Sequence, residues 1–206
     1  MSNRWKYWYS WLVASLVLLC IILALMSWIG SAYGWDMQNL LAPEGIRWAL
    51  RSTLSNFAAM PVIPLITVLV AWGVLQRSSW LKAMQKLVLY KWKELSPKQK
   101  WGLKLSLVVL FIYLLLLAQT LWGPFPILLS VKGEIANSPF TDGWLILLVF
   151  GIILVSGVYG WISGHFRRLT DFVFALSDGI TKHAPLFVLL FILAQLVAWI
   201  KYIFLI

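Results

Sequence analysis

Hydrophobic residues along this chain fall in long runs, separated by shorter segments in which apolar positions recur every three or four residues. Five runs approach the roughly 20 apolar residues that carry an α-helix across a bilayer. They are Trp11 to Tyr33, Ala58 to Leu75, Leu105 to Trp122, Trp144 to Ile162 and Pro185 to Ile206. The second is the shortest and holds Pro61 and Pro64 near its start. A missing N–H costs least there, because the first N–H groups of a helix have no acceptor within it.

Three amphipathic pieces lie between the runs. In Ile46 to Phe57, apolar Ile46, Leu50 and Leu54 stand beside a polar stripe of Arg47, Arg51 and Ser55. In Trp80 to Trp92, Leu81, Met84, Leu87 and Val88 oppose Lys82 and Lys86. In Phe166 to Ile180, apolar residues step by three and four through Leu169, Val173 and Leu176. Each has the pattern of a helix lying in the membrane interface. The stretch "ELSPKQKWGLK", from Glu94, reads as a polar joint between two parts, 1–93 and 94–206, of one membrane domain. The pattern predicts an all-α membrane protein with about five transmembrane helices and interfacial amphipathic helices.

Composition agrees. The chain has 206 residues, of which 62% are hydrophobic and 12% charged, too apolar a balance for a soluble domain of this size. The first apolar run is too long for a signal peptide and is read as a retained span. Charge sets the orientation. With the N-terminus inside, 17 Lys and Arg divide so that only Arg47, Arg51, Lys132 and Lys201 lie outside. That bias predicts a cytoplasmic N-terminus and an external C-terminus. Tryptophans gather at both boundaries, with Trp5, Trp8, Trp11, Trp101 and Trp161 at one and Trp28, Trp35, Trp122 and Trp144 at the other. The basic run from Lys82 to Lys104 is then a cytoplasmic segment at the lipid surface, and no nucleic-acid partner is expected.

Little in the sequence points to catalysis. All 7 acidic residues fall in predicted loops or interfacial helices, not in the hydrocarbon, where an ionisable group would mark a site. His165 and His183 sit at span edges without a cluster of Cys or acidic ligands, so no metal or other cofactor is expected. Ser163 lies near His165, but residues two apart on a helix point to different sides. That separates the pair needed for a serine nucleophile. Neither a phosphate loop nor a dinucleotide-binding glycine pattern is present. The single cysteine, Cys20, says little about redox compartment. The intramembrane polar candidates are mild: Thr67, Gln119, Thr120 and Gln195, with Tyr113 and Ser156 beside them. Ser156, Gly160 and Gly164 form a small-residue stripe that predicts a helix-packing seam, within the chain or between subunits.

Three stretches, Asn39–Trp80, Glu94–Leu117 and Ser138–Tyr202, carry further information in their order. The first includes "NLLAPEGIRWALRSTLSNF", the second opens on "ELSPKQKWG", and the third runs from "SPFTDGW" through "SGVYGWISGH" to "AQLVAWIKY". Together they resemble the AbgT family, the p-aminobenzoyl-glutamate transporters. The resemblance implies dimers of the bacterial inner membrane, built from an inner scaffold and an outer transport part with two re-entrant hairpins. By that correspondence the chain passes from its second span almost directly to the mid-chain scaffold span, so no family substrate residue finds a matching position. The resemblance therefore implies a homo-oligomeric scaffold or interaction subunit in the lipid bilayer, with another membrane protein as a further partner, and no enzyme. The alternative it leaves open is a reduced transporter or channel, with a path at a subunit interface lined by Thr67, Gln119, Thr120 or Gln195.

Overall fold

A computed structural model describes residues 3–123, 126–130 and 133–204. Among these residues there are α-helices and one 3-10 turn, and no strand. The helices are α1 (Asn3–Ala32), α2 (Pro43–Ala58), α3 (Val62–Ser78), α4 (Trp80–Val88), α5 (Pro97–Trp122), α6 (Pro139–Ser163), α7 (Leu169–Lys182) and α8 (Pro185–Phe204), with the 3-10 turn at Trp92–Glu94. The last residues of the fifth predicted run, Leu205 and Ile206, lie outside the described residues.

Four helices are long and apolar enough to cross a membrane: α1 from Trp8, α5, α6 and α8. A fifth span exists only if α2 and α3 are taken together as one broken span. The expected second span, Ala58 to Leu75, is thus interrupted. α2 stops at Ala58 because Pro61 disfavours helical backbone at the residue before it. α3 resumes at Val62 and accepts Pro64 in its first turn.

Contacts divide the chain into two units, one comprising residues up to Val62 and from Lys182 onward, the other Ile63–Thr181. The boundaries differ from the expected joint at 93/94. Leu95 is buried with Ala83, Leu103 and Tyr159, and Trp80 and Trp92 pack on that cluster, so the segment around Glu94 is stitched to helices on both sides. The polar "ELSPKQK" stretch is in fact a helix start. Ser96 Oγ accepts from Gln99 N while Gln99 returns a bond to Ser96 N, and Pro97 occupies the first helical position. α6 begins the same way, with Ser138, Pro139 and Thr141.

In the first unit, α1 and α2 both pack on α8. α2 turns Gly45, Trp48, Ser52, Thr53 and Asn56 inward. Its Leu50 and Leu54 remain 75% and 79% exposed, so its apolar stripe points away from the unit. Trp48 stacks on Tyr202 with ring centroids 4.2 Å apart, and Phe57 meets Phe191 edge-on at 5.5 Å. In the second unit, α5 and α6 form the main pair, and α4 lies across both. The second and third amphipathic pieces are helical as the period predicts, but α4 ends at Val88 and α7 begins only at Leu169, which leaves Trp92 and Phe166 outside those helices.

Candidate functional site

Of the four intramembrane polar candidates, Gln195 is the one that joins two helices among the described residues. It is 8% exposed on α8. Its Oε1 accepts from Asn56 Nδ2 at 3.1 Å, and its Nε2 donates to the Thr53 carbonyl at 3.0 Å. Asn56 also reaches Ser52 Oγ, at 3.3 Å. This cluster fastens the polar side of α2 to the middle of an apolar helix. Sequence reasoning did not single out Thr53 or Asn56. The signal was the row Ser52, Thr53 and Asn56, spaced to share one helical face.

The other candidates are not brought together with it. Thr67 Oγ1 donates to the Ile63 carbonyl at 2.8 Å and Thr120 Oγ1 to the Leu117 carbonyl at 2.9 Å, each within its own helix. Gln119 is exposed, and its backbone carbonyl accepts from Gly123 N. Tyr113 does cross between helices. Its hydroxyl donates to the Leu147 carbonyl at 2.6 Å. Gly151 makes room for its ring, since a Cβ there would stand 2.6 Å from Tyr113 Cε1.

The predicted seam is used differently from its spacing. Ser156 is fully buried and bonds the Ile152 carbonyl of its own helix at 2.6 Å. A Cβ on Gly160 would collide with the Phe166 ring, and one on Gly157 would stand 3.2 Å from Phe172. The seam is therefore filled by the same chain, which turns back along α6 after its end. Gly164 does not belong to it. It follows the last helical residue with φ 83°, and a Cβ there would meet nothing within 4 Å. Its role is the left-handed turn that ends α6, which glycine adopts without cost.

That turn also corrects the expectation for Ser163 and His165. The helix stops at Ser163, so the two are not on one helix, and Ser163 Oγ lies 2.7 Å from His165 Nδ1. The geometry still does not make a nucleophile. The Tyr159 carbonyl, also 2.7 Å from Ser163 Oγ, is an acceptor that draws the single hydroxyl proton away from the ring. In the tautomer that fits this arrangement Nδ1 is a donor and not a base. Burial, and then the Lys82 charge, hold His165 below its ordinary range, which keeps the ring neutral.

A second polar joint links α3 to α7. Arg77 Nε lies 3.6 Å from Asp178 Oδ2 and Arg77 Nη1 donates to the Asp171 carbonyl at 3.5 Å. The Asp171 carboxylate accepts from the Arg167 and Arg168 N–H groups, both at 3.0 Å. Those two bonds, more than the nearby Arg168 and Arg77 charges, hold it below the usual carboxylate range. Among the described residues, no three His, Cys, Asp or Glu converge as metal ligands would.

Each unit also holds a cavity among its described residues. In the first unit, about 430 Å³ is lined by Val17, Cys20, Ala24, Phe191, Gln195 and Trp199, among others. Trp199 Nε1 is buried with no acceptor among the described residues, an arrangement that ordinarily costs about 1–3 kcal/mol. In the second unit, about 370 Å³ lies beside α5 and α6, with Trp80, Tyr113, Phe140 and Trp144 in its wall. Its lining is almost wholly apolar.

The family model for the AbgT putative transporter family matches residues 79–204, more than half of the chain. The chain belongs to the AbgT family. The match begins at the start of α4 and runs to the end of α8, so it includes Tyr113, the α6 glycines, the Ser163–His165 turn and Gln195. Neither curated proteins nor solved structures give a significant match. As an AbgT-family protein with several membrane-spanning helices, it is a transporter-related, multi-pass membrane protein.

Proposed function

We propose that this AbgT-family chain is an oligomeric scaffold or interaction subunit of the bacterial inner membrane, without transport activity of its own. Its N-terminus lies in the cytoplasm and its C-terminus outside. One observation carries the reading: among the described residues, the polar side chains at membrane depth, the exposed Gln119 and the Trp199 indole apart, spend their hydrogen bonds on the chain itself. Gln195 is taken by Asn56 and Thr53, Tyr113 by the Leu147 carbonyl, and Thr67, Thr120 and Ser156 by their own helices. A transport site needs groups at the midplane that bind cargo more favourably than they bind each other.

A second reading has one observation in its favour. Gln195 and Trp199 line the same cavity, and Trp199 Nε1 is a buried donor without a partner among the described residues. A reduced transporter for p-aminobenzoyl-glutamate or a related aromatic acid would use that donor. Proteoliposomes loaded with labelled substrate under a sodium or proton gradient separate the two. The scaffold reading expects uptake equal to empty liposomes. Saturable uptake that disappears in Gln195→Leu or Trp199→Phe would replace it with the transporter reading. Native mass spectrometry from nanodiscs tests the oligomer, and a monomer at every protein concentration would refute that part.

A further inference from the structure

The turn that joins α4 to α5 is built unlike a connection whose only task is to reverse the chain. α4 closes with two bonds onto carbonyls of its last turn, Tyr90 N to Leu87 O at 3.2 Å and Lys91 N to Lys86 O at 2.8 Å. This is the helix ending in which the residue after the cap turns left-handed, a place where glycine is usual. Here it is Tyr90, at φ 55°. Tyr90 is 96% exposed, and Val88 and Leu89 are 70% and 65% exposed. Three consecutive large apolar side chains thus project from one turn.

Cations surround that knuckle. Lys86 and Lys91 each stand 3.6 Å from Glu94, so a single carboxylate gathers two ammonium groups and leaves the set positive. Lys93 lies beside them in sequence. From Lys82 to Lys104 there are seven lysines, and Glu94 is the one acid.

The depth of the knuckle follows from packing. Ala83, Leu95, Leu103 and Tyr159 form a buried cluster, with Trp80, Met84, Leu87 and Trp92 against it. That cluster ties α4 and the 3-10 turn to the first turns of α5 and the last turn of α6. Both of those helices are spans, so their ends lie at a membrane surface. Trp101 marks the level, 71% exposed with Lys104 Nζ 5.7 Å from its ring centroid.

We propose that the α4–α5 turn is a membrane-surface anchor for anionic phospholipid. Val88, Leu89 and Tyr90 enter the acyl region of the bordering leaflet. Lys86, Lys91 and Lys93 hold the phosphates of the headgroups above it. A nucleic acid or a free anion would satisfy the lysines but would leave the apolar knuckle in water. Only a lipid surface offers an apolar phase and a layer of phosphate within one side-chain length of each other. Each lysine that reaches such a surface is worth about a fivefold preference for anionic over neutral lipid.

The test uses the full chain in nanodiscs of phosphatidylcholine, with or without phosphatidylglycerol. Native mass spectrometry counts retained phosphatidylglycerol. A nitroxide at Leu89→Cys, in a Cys20→Ser background, reports immersion by its accessibility to oxygen against a water-soluble nickel chelate. The expected result is an immersed nitroxide and selective retention of phosphatidylglycerol. Lys91→Glu with Lys93→Glu removes two lysines and adds two repelling charges, so it should lower that retention by at least about 25-fold. Lys93→Glu alone, at an exposed side chain that bears no part of the fold, should lower it at least about fivefold. A nitroxide that stays water-accessible in both lipids would overturn the proposal. So would retention unchanged by the charge reversals, or retention abolished by excess inorganic phosphate, which would mark a site for free anions.

Discussion

α3 and α7 cross at two glycines, and a single methyl group there should separate them. A Cβ on Gly179 would overlap the Leu69 carbonyl oxygen and would stand 2.8 Å from Leu69 C and 2.9 Å from Gly73 N. Every one of those atoms is backbone, so no side chain can rotate out of the way. Ordinary contact begins near 3.4 Å, and the overlapped Leu69 oxygen sets the retreat, so α3 must move back by more than about 1 Å. A gap of that size forfeits about half or more of each dispersion contact across it. The contacts at stake include the buried cluster of Val74, Phe166 and Ala175. Overpacking of this kind costs about 1–3 kcal/mol, and an unyielding backbone neighbour places Gly179→Ala at the upper end. Better helix propensity returns about 1 kcal/mol, which leaves a net loss of about 2 kcal/mol. At fixed denaturant this is about a thirtyfold fall in the ratio of folded to unfolded protein. The control is Gly143→Ala, also within a helix but with nothing within 4 Å of the added carbon. It should gain up to about 1 kcal/mol. Equilibrium unfolding in mixed micelles, followed by tryptophan emission, compares the two. If Gly179→Ala proves as stable as Gly143→Ala, the glycine crossing does not hold α3 on α7 and the reasoning fails.

Three other measurements probe the polar contacts. A double-mutant cycle of Gln195→Leu and Asn56→Leu should give a coupling of about 0.6–1.7 kcal/mol, and additive losses would deny the bond between α8 and α2. Gly151→Ala should cost about 1–3 kcal/mol in the wild-type chain and much less in Tyr113→Ala, where the ring it would strike is gone; equal costs would mean that Tyr113 does not fill that notch. His165 is held below its ordinary value of about 6.5, so as pH falls through that value the unfolded chain takes up a proton before the folded one does. Its stabilising contribution is complete above about pH 6.5 and is lost as pH falls toward the lower folded value, so His165→Gln should flatten the melting temperature between about pH 7 and pH 5.

The parts of this protein legible in its sequence are those set by the bilayer and by the helical period. Runs of twenty apolar residues can satisfy their backbone in lipid only as helices, so α1, α5, α6 and α8 follow from length and composition alone. The three amphipathic helices follow from spacing. Helix ends are read less well, because they depend on local chemistry that overrides the hydrophobic pattern. Ser96 and Pro97 look like a linker until their capping bonds make them the start of α5. The contacts are least legible, because they join residues far apart in sequence through groups every residue has. Gly73 meets Gly179 through backbone atoms, and Tyr113 bonds a carbonyl, so neither partner carries a distinguishing side chain. The glycines of α6 show the limit. Gly151, Gly160 and Gly164 are one letter in the sequence, yet the first is a notch for Tyr113, the second a seat for Phe166 and the third a left-handed cap. A spacing of four assigns Gly160 and Gly164 to one face only while the helix continues. The helix stops at Ser163, and by stopping it moves Gly164 out of the seam and brings His165 against the serine.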